Sequence, residues 1–122
     1  MKKEKFIKVM KAGYDNKTDM PIFKTEIDEG YKQFYYTGLE ETKEQEIVLF
    51  ISKTGDSKYK WQATEASTGL LACSGKTLAD VDDEILMHLD TIYNAINGIN
   101  TSERMIKILN MAKELVKNAN LQ

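Results

Sequence analysis

Residues 47–96 constrain the fold of this chain more than any other stretch. They contain the apolar run IVLFIS, a TGDS turn, the alternating run KYKWQAT, the short apolar run GLLAC and then a long segment with helical periodicity. Short apolar or alternating runs between turn residues are typical of β-strands. The stretch therefore predicts a small antiparallel sheet with a helix packed across it.

Side-chain alternation assigns faces to these strands. Residues 47–52 are apolar on both faces, which favours a strand in the middle of the sheet. In the next run, Tyr59, Trp61 and Ala63 alternate with polar residues, so one face of that strand is apolar. We therefore expect Trp61 to lie beneath a helix.

Two helices are predicted after the strands. Thr77 is a suitable N-cap for a helix over residues 78–96, and Gly98 is well placed to end it. A second helix, capped within residues 100–102, is predicted to run to about Asn118. Its apolar residues cover well over half of its circumference, more than a helix buried along one stripe requires.

The N-terminal part of the chain is predicted to add strands. Residues 5–11 fit either a strand or a short amphipathic helix, and the turn-rich run after them favours a strand. Residues 22–28 and 31–37 also have strand features, with a turn predicted at Glu29-Gly30.

Together these features predict one α+β domain, residues 1–122. Its antiparallel sheet would have about four to six strands, followed by two C-terminal helices packed on one face. The predicted core comprises Ile47, Leu49, Trp61, Val81, Ile85, Leu89, Ile92, Leu109 and Leu115.

The broad apolar surface of the last helix predicts a homo-oligomer. Ile106, Met111 or Leu115 would be exposed in a monomer, and burial against a second copy would remove them from water.

Composition excludes several classes of function. The net charge is −2 with both signs interspersed, which argues against a duplex-DNA binder. One cysteine and one histidine exclude an intramolecular disulfide and the Cys/His zinc motifs, and no metal and no cofactor is predicted. The apolar runs are too short for a membrane span and no secretion signal is evident, so no membrane role and a cytoplasmic location are expected.

No catalytic constellation can be assembled from the sequence. His88 and Asp90 are two residues apart on a predicted helix and therefore do not face each other. Cys73 is expected to be a small buried strand residue. We predict that the protein is not an enzyme.

The run Gly69–Thr77, GLLACSGKT, ends like a phosphate-binding loop. Five residues separate its glycines where that motif has four, so a strand-to-helix turn is favoured over a nucleotide-hydrolase loop. An anion site at the helix start, with Lys76 and Thr77, stays open. Across an oligomer, Arg104 and Lys107 could join Lys76 around a small anionic ligand.

An aromatic cluster precedes the central stretch. Tyr31, Phe34, Tyr35 and Tyr36 resemble a stacking platform for single-stranded nucleic acid, but few basic residues flank them. Aromatics at the core and edge of a small sheet are the favoured interpretation.

From residue 47 onward the layout resembles the core of HicB-like antitoxins. The matching residues are Thr68-Gly69-Leu70, then Gly75, Thr77 and the helix opened by Leu78. The resemblance implies a protein that neutralises a partner and does not catalyse a reaction.

The whole-chain layout, a sheet followed by two helices, also resembles phage anti-Thoeris proteins. That resemblance implies an oligomer that sequesters a nucleotide-type signal, and the lysine-rich, arginine-poor composition suits a phage or mobile element with an AT-rich genome. Two functions therefore stay open: sequestration of a signal molecule, or an antitoxin or inhibitor that masks a protein partner.

Overall fold

A computed structural model describes residues 2–119 as five strands followed by three helices. The strands β1 (Glu4–Asp15), β2 (Met20–Tyr36), β3 (Glu46–Lys53), β4 (Trp61–Glu65) and β5 (Leu71–Gly75) form an antiparallel sheet in the order β1-β2-β3-β4-β5. The helices are α1 (Leu78–Met87), α2 (Leu89–Ile96) and α3 (Glu103–Asn118). The predicted α+β class is confirmed, with three helices in place of two. Met1 and residues 120–122 of the predicted domain lie outside the described residues.

The predicted turn at Glu29-Gly30 is wrong, because β2 continues through it. Residues 20–30 of β2 pair with β1, and residues 31–36 pair with β3. Gly30 is buried, and a Cβ atom there would lie 2.6 Å from the carbonyl oxygen of Ile51. Glycine therefore lets β2 pass close to β3 as it changes partners, which is a packing role and not a turn.

The helix predicted over residues 78–96 is interrupted at His88. This residue has φ −115° and ψ 19°, and its N–H is shared between the carbonyls of Glu84 and Ile85. A shared bond of this kind is common where a helix ends. The predicted caps are confirmed: Thr77 Oγ1 accepts a hydrogen bond from the Asp80 N–H at 3.1 Å, and a Ser102 cap opens α3.

The main hydrophobic cluster lies between the sheet and the helices α1 and α2. Its buried members are Ile47, Leu49, Ile51, Ala63, Val81 and Ile85, and Trp61, Leu89 and Ile92 pack against it partly buried. Seven of the nine predicted core residues thus belong to this cluster, and Leu109 is also buried. The ninth, Leu115, is partly buried elsewhere.

A second cluster joins α3 to the β1–β2 hairpin. Ile7, Val9 and Ala112 are buried in it, and Leu115 packs against it. The hairpin is tied to the rest of the sheet by the stacked rings of Phe6 and Phe50, whose centroids are 4.7 Å apart. Helices α1 and α2 therefore pack on one part of the sheet, and α3 packs on another.

Candidate functional site

An open cleft of about 470 Å³ lies between the sheet and the first half of α1. We call it the aromatic cleft; it is lined by Tyr31, Gln33, Tyr35, Ile51, Trp61, Leu78, Val81 and Asp82. Largely apolar and aromatic walls with a few polar groups are typical of sites for small molecules.

Strand alternation builds the floor of the aromatic cleft. Tyr31 and Tyr35 lie on the same face of β2, opposite Ile51 and Ile47 of β3. The helices α1 and α2 cover the residues of β3 and β4 on this face. The residues of β2 on the same face therefore lie beside α1. On β5, a Cβ atom at Gly75 would come within 3.0 Å of the Val81 nitrogen, so glycine allows α1 to approach the sheet closely.

A hydrogen bond joins the two walls of the aromatic cleft. The Tyr35 hydroxyl donates to Asp82 Oδ1 at 2.8 Å. Burial of the phenol, followed by this bond to the Asp82 carboxylate, raises the pKa of Tyr35 above its ordinary value. Tyr35 therefore stays a protonated donor at neutral pH and holds the Asp82 carboxylate in place.

A polar cavity of about 470 Å³ adjoins the aromatic cleft and shares Tyr31, Ile51 and Trp61 with it. Two lysines lie over the shared rings: Lys3 Nζ is 5.9 Å from the Tyr31 centroid, and Lys53 Nζ is 5.4 Å from the Trp61 centroid. The cleft thus has cationic groups at one end.

That polar cavity also contains acidic and neutral groups. Asp28 and Glu29 line it, and Asp28 forms an ion pair with Lys8 at 3.3 Å. Ser52 Oγ is buried with no hydrogen-bond partner among residues 2–119. The carboxylate of Asp28 is therefore already compensated, and the buried Ser52 hydroxyl is not accessible from the cavity.

The predicted anion-binding residues lie on two separate elements. Lys76 and Thr77 immediately precede Leu78 of the aromatic cleft, and Thr77 is engaged as the N-cap of α1. Arg104 and Lys107 lie on α3, where Arg104 contacts the β1–β2 turn through Asp19, at 3.6 Å between charged atoms. None of these four lines the aromatic cleft in the described chain, and their role in binding a ligand stays a prediction.

The aromatic cleft was not predicted from the sequence. Tyr31 and Tyr35 resemble a stacking platform, but few basic residues flank them in the sequence. The lysines come from elsewhere in the chain, because Lys53 ends β3 and Lys3 precedes β1. The available signal was the even spacing of Tyr31 and Tyr35, which places both side chains on the same face of a strand.

A groove on the other side of α1 contains Cys73, Glu84 and His88. His88 Nε2 lies 3.5 Å from the Glu84 carboxylate, while the Cys73 thiol is 3.9 Å from the Val81 carbonyl oxygen. Burial, and to a smaller extent Glu84, raises the pKa of Cys73 to about 11. The thiol is therefore protonated at neutral pH, unlike an activated nucleophile.

We expect Cys73 to react slowly with iodoacetamide. At pH 8, a thiol of pKa about 11 is roughly one part in a thousand thiolate, and an ordinary thiol is about one part in ten. Alkylation followed by mass spectrometry should be about 100-fold slower in the folded protein than in urea. Equal rates would show an accessible thiol of ordinary pKa and contradict the burial of Cys73, and a faster rate in the folded protein would reopen a catalytic role for this groove.

No protein-family model, curated protein or solved structure matches this chain. Among residues 2–119, no helix is long and apolar enough to cross a membrane, and no group of His, Cys, Asp and Glu side chains is arranged to hold a metal ion. The geometry of the aromatic cleft is therefore the basis for a functional proposal.

Proposed function

We propose that this is a non-catalytic protein that sequesters a nucleotide-type small molecule in the aromatic cleft. The observation that carries the proposal is the set of three aromatic side chains, Tyr31, Tyr35 and Trp61, along one open cleft. Stacking of a base on an aromatic side chain contributes about 1–3 kcal/mol. Lys3 and Lys53, at the shared end, are suited to a phosphate group.

We further propose that the protein serves a phage or mobile element as a counter-defence factor. A sequestering protein removes a signal by binding it, which requires affinity and abundance but no reacting groups. The small size and the lysine-rich, arginine-poor composition support this context, as does the resemblance of the layout to anti-Thoeris proteins.

Mass spectrometry of released ligand tests the proposal. The purified protein would be incubated with bacterial extract, freed of unbound molecules by gel filtration and denatured by heat. We expect a nucleotide-type molecule in near-stoichiometric amount in the supernatant. A supernatant without any such molecule, from extracts of both uninfected and phage-infected cells, would contradict sequestration.

We propose that the protein forms homo-oligomers through α3 and the start of β2. Met111 and Ile22 line one shallow groove and are 37% and 50% exposed, so they would contribute apolar area to an interface. Met111 is exposed as predicted, whereas Ile106 and Leu115 are partly buried.

Size-exclusion chromatography with light scattering tests this interface. At tens of micromolar we expect a mass that is a multiple of 13.9 kDa. Met111→Glu should shift the protein to the monomer, because a charge in an apolar interface is costly. Leu39→Glu, at a residue that is 59% exposed in a loop, is the control and should not. A wild-type mass near 13.9 kDa would end the oligomer proposal.

A protein inhibitor is the second candidate function. Residues 31–36 of β2 pair with β3, and no strand within residues 2–119 lies along their other side. An open sheet edge is a template for strand addition by a partner. In the extract experiment, this function predicts a stoichiometric bound protein and no released nucleotide.

A further inference from the structure

The chemistry of Asp82 narrows the class of base that suits the aromatic cleft. Among the described residues that line the cleft, Asp82 alone is charged at neutral pH. An ionised carboxylate only accepts hydrogen bonds, at about four positions on its two oxygens. The bond from Tyr35 occupies one position on Oδ1, so the carboxylate keeps the capacity to accept from a ligand.

We propose that Asp82 selects a guanine base in the aromatic cleft, an inference that rests on the proposed function. Guanine presents a ring N–H and an exocyclic amino group side by side. Two parallel donors match the two oxygens of a carboxylate, as in the bidentate pairing of arginine with carboxylates. The structure thus assigns base specificity to Asp82 on α1, whereas the aromatic residues that would stack on the base lie on the sheet.

The other common bases fit this carboxylate less well. Adenine and cytosine place their amino group beside a ring nitrogen that is an acceptor, so one carboxylate oxygen would face a lone pair. Uracil places its ring N–H between two carbonyl oxygens. Asp82 is exposed, so a base without the second donor loses one hydrogen bond to the carboxylate and leaves no buried group unpaired.

The neighbouring acids of α1 do not share this role. Asp80 and Asp83 lie within two residues of Asp82 in the sequence, yet neither lines the aromatic cleft. Successive residues of a helix point in different directions, so the position of Asp82 is distinct from theirs. Asp83 therefore provides a matched control at the adjacent position.

Calorimetric titration with the 5′-monophosphates of guanosine, inosine, adenosine and xanthosine tests the inference. For the wild type we expect guanosine monophosphate to bind at least 10-fold more tightly than inosine monophosphate, which lacks the exocyclic amino group. In Asp82→Asn, the amide offers one acceptor and one donor, which no longer matches the two donors of guanine but suits the paired donor and acceptor of adenine and of xanthine. We expect guanosine monophosphate to weaken at least 10-fold and to lose its preference over the monophosphates of adenosine and xanthosine.

Asp83→Asn should leave the order of affinities unchanged. If all four nucleotides bind the wild type and Asp82→Asn alike, the guanine assignment is overturned while nucleotide binding stands. If none of the four binds any of the three proteins and no other nucleotide does so, the proposed function fails and the assignment fails with it. Circular dichroism of Asp82→Asn confirms that the comparison is made between folded proteins.

Discussion

Replacing Gly30 with alanine is expected to lower the free energy of unfolding by about 2–4 kcal/mol. The new Cβ would lie 2.6 Å from the Ile51 carbonyl oxygen and 3.1 Å from Phe6 Cε1. The nearest of these atoms belongs to the backbone of a central strand, so it cannot move aside as the end of a side chain could. Urea unfolding followed by circular dichroism measures the change.

Gly13→Ala is the matched control for this substitution. It lies in the same strand pair, and its added Cβ would meet Ile22 Cδ1 at an ordinary 3.8 Å. We expect a change within about 0.5 kcal/mol. Equal destabilisation by the two alanines would contradict the close passage of β2 against β3 at Gly30.

Replacing Leu78 with tryptophan is expected to reduce ligand affinity by roughly 5- to 150-fold without unfolding the protein. Leu78 is 49% exposed and lines the aromatic cleft at the start of α1, so a larger side chain there fills space that the ligand needs. A loss of one stacked base corresponds to about 1–3 kcal/mol, or roughly 5- to 150-fold in affinity. Calorimetric titration with the nucleotide that binds the wild type measures the loss.

Leu86→Trp is the matched control, because it adds the same side chain to α1 outside the aromatic cleft. Leu86 lies on the same helix and is 55% exposed, but it does not line the aromatic cleft. Its variant should bind like the wild type. Unchanged affinity in Leu78→Trp would show that the ligand lies elsewhere on the molecule.

Local signals in the sequence predicted much of the fold. Thr77 and Ser102 cap helices as expected, because an N-cap bond depends only on residues within one turn. The apolar repeat through Val81 and Ile85 also placed those side chains in the main cluster. These features require no knowledge of distant residues.

The features that could not be predicted from the sequence depend on contacts between distant segments. Gly30 looked like a turn residue, yet its role follows from the backbone of Ile51, which only the folded sheet brings near. The aromatic cleft likewise combines Tyr35 of β2 with Asp82 of α1, at a sequence separation of 47 residues. The lysines at its end, Lys3 and Lys53, are brought together by the same folding.

The most direct test of the aromatic cleft uses its own tryptophan. Trp61 is the only tryptophan of the chain and lines the cleft, so its fluorescence should report a base stacked there. We predict saturable quenching by at least one nucleoside monophosphate, and none by ribose 5-phosphate, which lacks a base. An emission spectrum that no base-containing nucleotide, linear or cyclic, alters up to millimolar concentration would contradict nucleotide binding in this cleft.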